Sequence, residues 1–201
     1  ANNFLYIFGD DSINVFSDVR VNDLGVTLFT NTNISASVGS QLHEAIIPYF
    51  RSILFMNNYG VYALVGTTTT KISDSLDGIF ADIDFNSPIY AGQVVINNIL
   101  CAAFNFRYND GGNYRYIQAV FFDKKWFIGA QGDDVKYIYS VPRNGLIKLY
   151  STNGTDLKQI YGNVAAEVDT YIETALWPLG DPIRTKQALK VGIEATLSNS
   201  I

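Results

Sequence analysis

Cysteine, histidine and charge are all scarce in this 201-residue chain. Cys101 is the only cysteine, so no internal disulfide can form. It sits in the apolar run Ile99-Leu100-Cys101-Ala102-Ala103-Phe104, where a packed, inert thiol fits better than a nucleophile. His43 is the only histidine, which removes most Ser-His, Cys-His and multi-histidine metal arrangements and reads as a surface or loop residue. Charged residues make up 16% of the chain, against about 25% in an ordinary soluble domain. That shortfall implies that part of the surface meets other protein. The net charge of −5 and pI of about 4.7 argue against broad binding to nucleic-acid phosphate. No stretch approaches the roughly 18 apolar residues of a membrane span. Asn2, Asn3 and Asp10 interrupt the start and no basic segment precedes it, so it does not read as a signal peptide. Ala1 runs straight into FLYIF, and the chain reads as a processed piece of a longer protein.

What the chain has in abundance is aromatic residues: thirteen Tyr and thirteen Phe, with sixteen Gly, a load that favours sheets and turns over helices. The clearest stretch is Gln118 to Gly132, QAVFFDKKWFIGAQG. Strand-formers at Ala119 to Phe122 and Trp126 to Ile128 flank the charged turn Asp123-Lys124-Lys125, which is the composition of a β-hairpin. Alternation sends Trp126 and Ile128 to one face, and Trp126 reads as a packing residue. Two strands cannot bury such rings alone, so more sheet must lie against them.

The same grammar recurs. Phe4 to Phe8 and Ile13 to Phe16 are strands around the turn Gly9 to Ser12, and Val26 to Phe29 is a strand followed by a polar loop over Thr30 to Ser40. Ser52 to Met56 and Val61 to Val65 flank Asn57 to Gly60, and a turn at Gly66 to Thr70 leads into Lys71-Ile72-Ser73. Asp74 to Phe80 suits a short helix capped by Asp74 and limited by Gly78. Val94 to Ile96 and Ile99 to Phe104 flank the tight polar turn Asn97-Asn98. Phe106 and Tyr108 lead to a loop at Asn109 to Asn113. Tyr137 to Val141 and Leu146 to Tyr150 flank Pro142 to Gly145, and a turn at Thr152 to Thr155 precedes Leu157 to Tyr161.

Asn58 to Leu64 (NYGVYAL) is similar to Asn144 to Leu149 (NGLIKL), and both lead through a Thr-containing turn to Lys71-Ile72 or Gln159-Ile160. With Asn98-Ile99-Leu100 roughly midway, the apparent period is about 40 to 45 residues, the length of a β-propeller blade, and about four such units fit. An irregular β-sandwich also shows many short strands and stays open as the alternative. The expected fold is therefore all-β, with blade-like units over 1–163 and a C-terminal hairpin, or the start of a following domain, over 164–201. In that hairpin, Val168 to Trp177 and Lys186 to Leu197 alternate around Pro178 to Pro182, although Ala165 to Ala175 is also compatible with partial helix. Leu189, Val191 and Ile193 form one apolar face, expected to dock outside the blades.

The search for chemistry yields candidates and no assignment. Carboxylates pair at Asp10-Asp11, Asp82-Ile83-Asp84 and Asp133-Asp134. Adjacent acids point to opposite faces of a strand, so the first and last suit solvated turns. Asp82 and Asp84 share a face and could hold Ca²⁺, but EF-type spacing is missing. No Gly-rich phosphate loop follows a strand and opens a helix. Asn33-Ile34-Ser35 and Asn153-Gly154-Thr155 match the glycosylation pattern, which carries meaning only in a secreted chain. Tyr114 with Tyr116, and Tyr137 with Tyr139, alternate on strand faces and could stack on sugars or bases; core packing or subunit contact is the plainer reading. No catalytic, cofactor-binding or metal-binding residue is assigned, and no cofactor is expected.

In their order, four stretches make the chain resemble a family of tailed-bacteriophage structural proteins with β-propeller domains. They are Ser52 to Ser73 (SILFMNNYGVYALVGTTTTKIS), Asn98 to Gly132 with its Asn-Asp loop and Lys-Trp-Phe, Leu149 to Tyr161 with its Thr-x-Gly-Thr turn, and Thr174 to Lys186 (TALWPLGDPIRTK). Trp177-Pro178 departs from the pattern by placing proline where a freely pairing strand would be expected. The resemblance implies a virion tail component, assembled with other tail subunits in the host cytoplasm, that acts as a non-enzymatic scaffold. A glycan-binding module or propeller-type glycosidase is the alternative, although the repeated Asp-box of sialidase-like propellers is not visible.

Overall fold

A computed structural model of the chain describes residues 4–130 and 135–162. The chain divides into two units, Ala1–Asn163 and Val164–Ile201; the expected C-terminal hairpin, its alternative helix and Asp133-Asp134 lie outside the described residues. The first unit is all-β. Its strands form four separate antiparallel sheets, each a meander of consecutive strands. Sheet 1 contains β1 (Leu5–Phe8), β2 (Ile13–Val21) and β3 (Thr27–Ser35). Sheet 2 contains β4 (Ile46–Tyr49), β5 (Ser52–Asn57), β6 (Gly60–Val65) and β7 (Thr68–Lys71). Sheet 3 contains β8 (Tyr90–Ile96), β9 (Ile99–Asp110), β10 (Asn113–Phe122) and β11 (Lys125–Ala130). Sheet 4 contains β12 (Tyr137–Arg143), β13 (Leu146–Thr152) and β14 (Leu157–Ile160). The sheets begin at Leu5, Ile46, Tyr90 and Tyr137, intervals close to the roughly 45 residues of the sequence repeat.

Tight turns set the meanders. Asn97 and Asn98 have φ of 49° and 62°, Asp123 and Lys124 47° and 59°, and Asn144 and Gly145 53° and 76°. Two successive positive φ values are the signature of the type I′ turn, whose twist matches that of the strands it joins. Registers follow directly: Phe121 lies opposite Trp126 and Ala103 opposite Val120.

Each sheet lies against the next in chain order. Ile13 of sheet 1 clusters with Ile53, Phe55 and Leu64 of sheet 2. Leu54, Met56 and Val61, from the opposite face of sheet 2, cluster with Ala102, Phe104, Phe106, Ile117, Ala119 and Phe121 of sheet 3. Val94, Cys101, Ala103 and Val120, from the other face of sheet 3, meet Ile138 and Leu149 of sheet 4. The two middle sheets are thus buried on both faces, which is why Ile53 to Met56 and Leu100 to Phe104 are unbroken apolar runs and not alternating ones.

Hydrogen bonds fix the seams. Tyr49 Oη donates to the Leu100 carbonyl at 3.0 Å and Trp126 Nε1 to that of Ile72 at 2.7 Å, both joining sheet 2 to sheet 3. Ser140 Oγ accepts from Gln93 N at 2.6 Å and donates to Gln93 O at 2.8 Å, joining sheet 4 to sheet 3. Between sheets 1 and 2, Ser40 N donates to the Gly9 carbonyl at 2.9 Å and Ser40 Oγ to that of Met56 at 2.6 Å.

Several local expectations are corrected. The polar stretch Thr30 to Ser35 is strand, because its hydroxyl and amide side chains sit on an exposed sheet where nothing forces them to be apolar. Thr68 to Lys71 is likewise strand, leaving only Gly66-Thr67 as the turn. Pro142 and Arg143 belong to β12, an edge strand where proline costs no ladder bond to an outer neighbour. Asp74 caps nothing. It opens a 3₁₀ turn, Asp74–Leu76, ahead of the short helix α1 (Asp77–Phe80), while the preceding Ser73 Oγ accepts from Val61 N at 2.8 Å. The resemblance between Asn58 to Leu64 and Asn144 to Leu149 falls on the third strand of sheet 2 and the second of sheet 4.

Trp126 is a packing residue: its ring centroid lies 4.9 Å from that of Phe121 and 5.9 Å from that of Phe104. Trp126→Ala is expected to cost about 3 kcal/mol by urea denaturation, and Trp126→Phe, which deletes mainly the bond to Ile72, about 1 kcal/mol. Two glycines mark the closest approaches. A Cβ at Gly39 would lie 2.1 Å from the Gly9 carbonyl and 2.6 Å from Ser12 N, whereas one at Gly92 would meet side chains, Leu149 Cδ1 and Ser140 Oγ, each at 2.8 Å. Side chains yield and this backbone does not. Gly92→Ala should therefore cost about 1 to 3 kcal/mol and Gly39→Ala clearly more; equal melting temperatures for the two variants would contradict this.

Candidate functional site

The long β9–β10 hairpin carries its far end beyond the core, and the segment Ala81 to Tyr90 lies alongside it. Ile83 bridges Tyr108, Asp84 N donates to the Arg107 carbonyl at 2.9 Å, and Asn109 N donates to that of Asp82 at 2.9 Å. Ile83 and Ile89 are buried and anchor the segment at both ends. Between them are two shallow depressions. One, of about 340 Å³, is lined by Asp82, Asp84, Asn86, Asn109 and Tyr114 among others. The second, of about 280 Å³, includes His43, Glu44, Asn86, Ser87 and Tyr90.

Arg107 organises the first. Its guanidinium lies 4.2 Å from the centroid of Tyr114, and Nη1 is 3.2 Å from Asp84 Oδ2. A guanidinium over an aromatic face gains from the ring quadrupole while keeping its edge free for a carboxylate. Asp84 also accepts from Ser87 Oγ at 2.7 Å and Asn86 N at 3.1 Å. These donors, the Ser87 hydroxyl first, then the Asn86 amide and Arg107, hold its carboxyl below the ordinary carboxylate range. Tyr108 Oη points to Asp82 Oδ2 at 3.5 Å, and burial first, with Asp82 next, pushes that phenol up.

Asp82 and Asp84, which share a strand face in the sequence reading, have different partners: Tyr108 for Asp82, and Ser87, Asn86 and Arg107 for Asp84. Among the described residues, no three His, Cys, Asp or Glu side chains gather in a way that could hold a metal ion. Asp10 and Asp11 are exposed at the β1–β2 turn. His43 lies in a 3₁₀ turn (His43–Ala45) with its side chain solvent-facing and Nε2 3.9 Å from Glu44 Oε1. Cys101 is buried, burial raises its thiol pKa, and it lines an apolar hollow of about 280 Å³ with Val120, Phe122, Phe127 and Tyr161.

The tyrosines converge more than their positions in sequence suggest. Tyr137 meets Tyr90 edge-on at 5.1 Å, and the nearby Tyr137, Glu44, Tyr139 and Tyr116, after burial, raise the Tyr90 phenol. Tyr114 stands apart from that group under Arg107, and it and Tyr139 are about half exposed. Neither Arg107 nor Tyr90 is marked by the sequence alone. A signal for Arg107 existed: the Gly111-Gly112 turn sets Asn109 opposite Tyr114 and Arg107 opposite Tyr116, so Arg107 and Tyr114 are diagonal neighbours across the hairpin. Tyr90 required knowing that sheet 4 crosses β8.

Chemically, the arrangement offers one stacking face, a fixed ion pair and several amide and carboxylate groups, which suits contact with a polar surface or ligand. Compared with known proteins, the chain matches no family model and no curated protein. No helix among the described residues is long and apolar enough to cross a membrane.

Because the Asp84 pKa is lowered in the folded chain, its contribution to stability is complete above the ordinary carboxylate value of about 3.9 and is lost as pH falls through the lower folded value. Asp84→Asn should therefore be destabilising at pH 7, with the gap to the parent chain narrowing as the pH falls below about 4. Denaturant midpoints of both chains across that range check it; a constant gap would contradict it.

Proposed function

We propose that the chain is a non-enzymatic, architectural component of a bacteriophage virion, in the tail, whose blade-like sheets act as a scaffold that holds neighbouring subunits. The observation that carries the reading is the stack of four consecutive meanders repeating at blade length, with the outer sheets presenting apolar side chains to solvent. Leu5 and Ile7 of sheet 1 and Val141 and Leu146 of sheet 4 are exposed, as a surface meant for other protein would be. The sequence resemblance supplies the particle, and a partial β-propeller supplies the geometry that best joins resemblance to repeat. In the site at the end of the β9–β10 hairpin, the ion pair and tyrosines are already engaged with one another, which favours a rigid contact surface over a reactive centre.

A glycan-binding role is the second reading, favoured by the exposed Tyr114 face beside Asp82 and Asn109. Mass spectrometry and electron microscopy of purified particles from the source phage test the first reading: the chain should be present at fixed stoichiometry in the tail, and its absence from the virion would sink it. Saturable binding on a glycan array, lost in Tyr114→Ala, would move the preference to the second.

A further inference from the structure

We propose that β3 is the chain's own self-association edge, pairing antiparallel with β3 of a second copy about a two-fold axis near Asn31. A free strand edge is a template for another strand, and proteins blunt such edges with proline, charge, brevity or cover. Every other edge of the four sheets carries such a device. β4 has four residues and contains Pro48, whose carbonyl accepts from Gln93 Nε2. β1, β7 and β14 have four residues each, and the last two contain Lys71 and Lys158. The middle of β8 is closed by Ser140 Oγ on both the N–H and the carbonyl of Gln93. β11 starts at Lys125, and β12 contains Pro142 and Arg143.

β3 has none of these; the irregularities in its pairing with β2 fall between Asn33 and Ser35 and opposite Phe29, and leave Thr30 to Asn33 in regular register. The strand is nine residues long, TLFTNTNIS, its hydrogen-bonded neighbour among the described residues is β2 alone, and it has neither proline nor charge. No charged residue occurs from Thr27 through Gln41. Such a strand can lie against its own copy without setting like charges opposite one another. The outer face beside it is apolar and open: the Phe16 and Phe29 rings meet edge-on at 4.9 Å, and Leu5, opposite Phe16 on β1, and Ile7 are exposed. Pairing through β3 would join two three-stranded sheets into one of six and make these side chains the centre of a continuous apolar surface. A second copy is the occupant because, with no charge on the edge, the strand can oppose itself across the axis with no like-charge pair to separate. The inference stands on the edge alone and holds whichever particle the chain serves.

Sedimentation velocity on the full 201-residue chain tests it. The parent chain should dimerise with rising concentration, and Asn31→Lys, an exposed change that sets two ammonium groups across the axis, should weaken the dimer by about tenfold or more. Asn31→Glu should do the same, and mixing the two variants should restore a dimer containing one of each. Thermal melts by circular dichroism at low concentration should coincide for all three chains, which separates loss of pairing from loss of fold. A parent chain that stays monomeric at 200 μM, on the order of what a weak specific dimer needs, would overturn the proposal and leave the edge for a different protein's strand. A dimer that Asn31→Lys does not weaken would overturn it as well.

Discussion

Everything in the described unit depends on one constraint: a sheet of three or four short strands cannot hide two aromatic faces by itself. Phe55 and Leu54 are neighbours in sequence and point to opposite sides of the same strand, and both are essentially inaccessible. Sheet 2 can satisfy both only by lying between two other sheets, and the same holds for Phe104 and Ala103 in sheet 3. Chain order then decides which sheets those are. Each connection delivers the next meander beside its predecessor, the longest of them, Lys71 to Tyr90, by way of the 3₁₀ turn and α1, so the stack follows the sequence. Burial drives the stacking, while the directional bonds at the seams (Tyr49 to Leu100, Trp126 to Ile72, Ser140 to Gln93) choose the angle and offset at which each pair of sheets meets.

The seams also explain where small residues are required. Gly92 sits where β8 passes beneath Leu149 and Ser140, and the hydrogen bonds between Ser140 and Gln93 exist because nothing larger holds the strands apart. Gly39 plays the corresponding part where the chain leaving sheet 1 doubles back over the Gly9 to Ser12 turn before entering sheet 2. The buried amides Asn105 and Gln118 lie opposite one another on the face of sheet 3 turned to sheet 4, with Asn105 Nδ2 donating to the Val135 carbonyl at 2.8 Å and Tyr161 Oη bonded to Gln118 Oε1. Polar groups this deep are costly unless paired; Asn105 Oδ1 and Gln118 Nε2 have no partner among the described residues, so each amide is paired at one end only. They tie β12 and the end of β14 to the strand pair on which they rest.

Much of this was legible in the sequence, and the limits of legibility are physical. Hairpins with paired positive-φ turns are visible because Asn97-Asn98, Asp123-Lys124 and Asn144-Gly145 are local, short-range chemistry. The unbroken apolar runs ILFM and LCAAF read as strands, and their burial on both faces shows only once the neighbouring sheets are in place. β3 was missed beyond Phe29 because a strand with both flanks in water need not alternate, so Thr30 to Ser35 looks like loop. The candidate site is legible only in fragments for a different reason: Asp82, Asp84, Tyr114, Tyr116, Tyr137 and Tyr139 stand out singly, yet their grouping depends on the bridge of Ile83 to Tyr108 and on sheet 4 lying against β8, and neither is local in sequence.

The stack also limits where an interaction can occur. A side chain between two sheets is already spent on holding the fold, so the middle sheets contribute only what projects past their neighbours. The β9–β10 hairpin does so because β9 has twelve residues and β10 ten, whereas the strands of sheet 2 facing them have six or fewer. The surplus places Arg107, Tyr114 and the Ala81 to Tyr90 segment outside the core, where a guanidinium and a half-exposed ring are affordable. The terminal sheets contribute whole faces, since among the described residues sheet 1 has no predecessor and sheet 4 no successor. Sheet 1 adds an edge, and the bulge after Ser17, with Asp18 at a φ of 52°, turns the rest of β2 and β3 away from the stack as a ribbon exposed on both sides. Surface free to meet anything else therefore lies at the ends of the stack and at the tip of its longest hairpin, because those are the places the burial constraint leaves open.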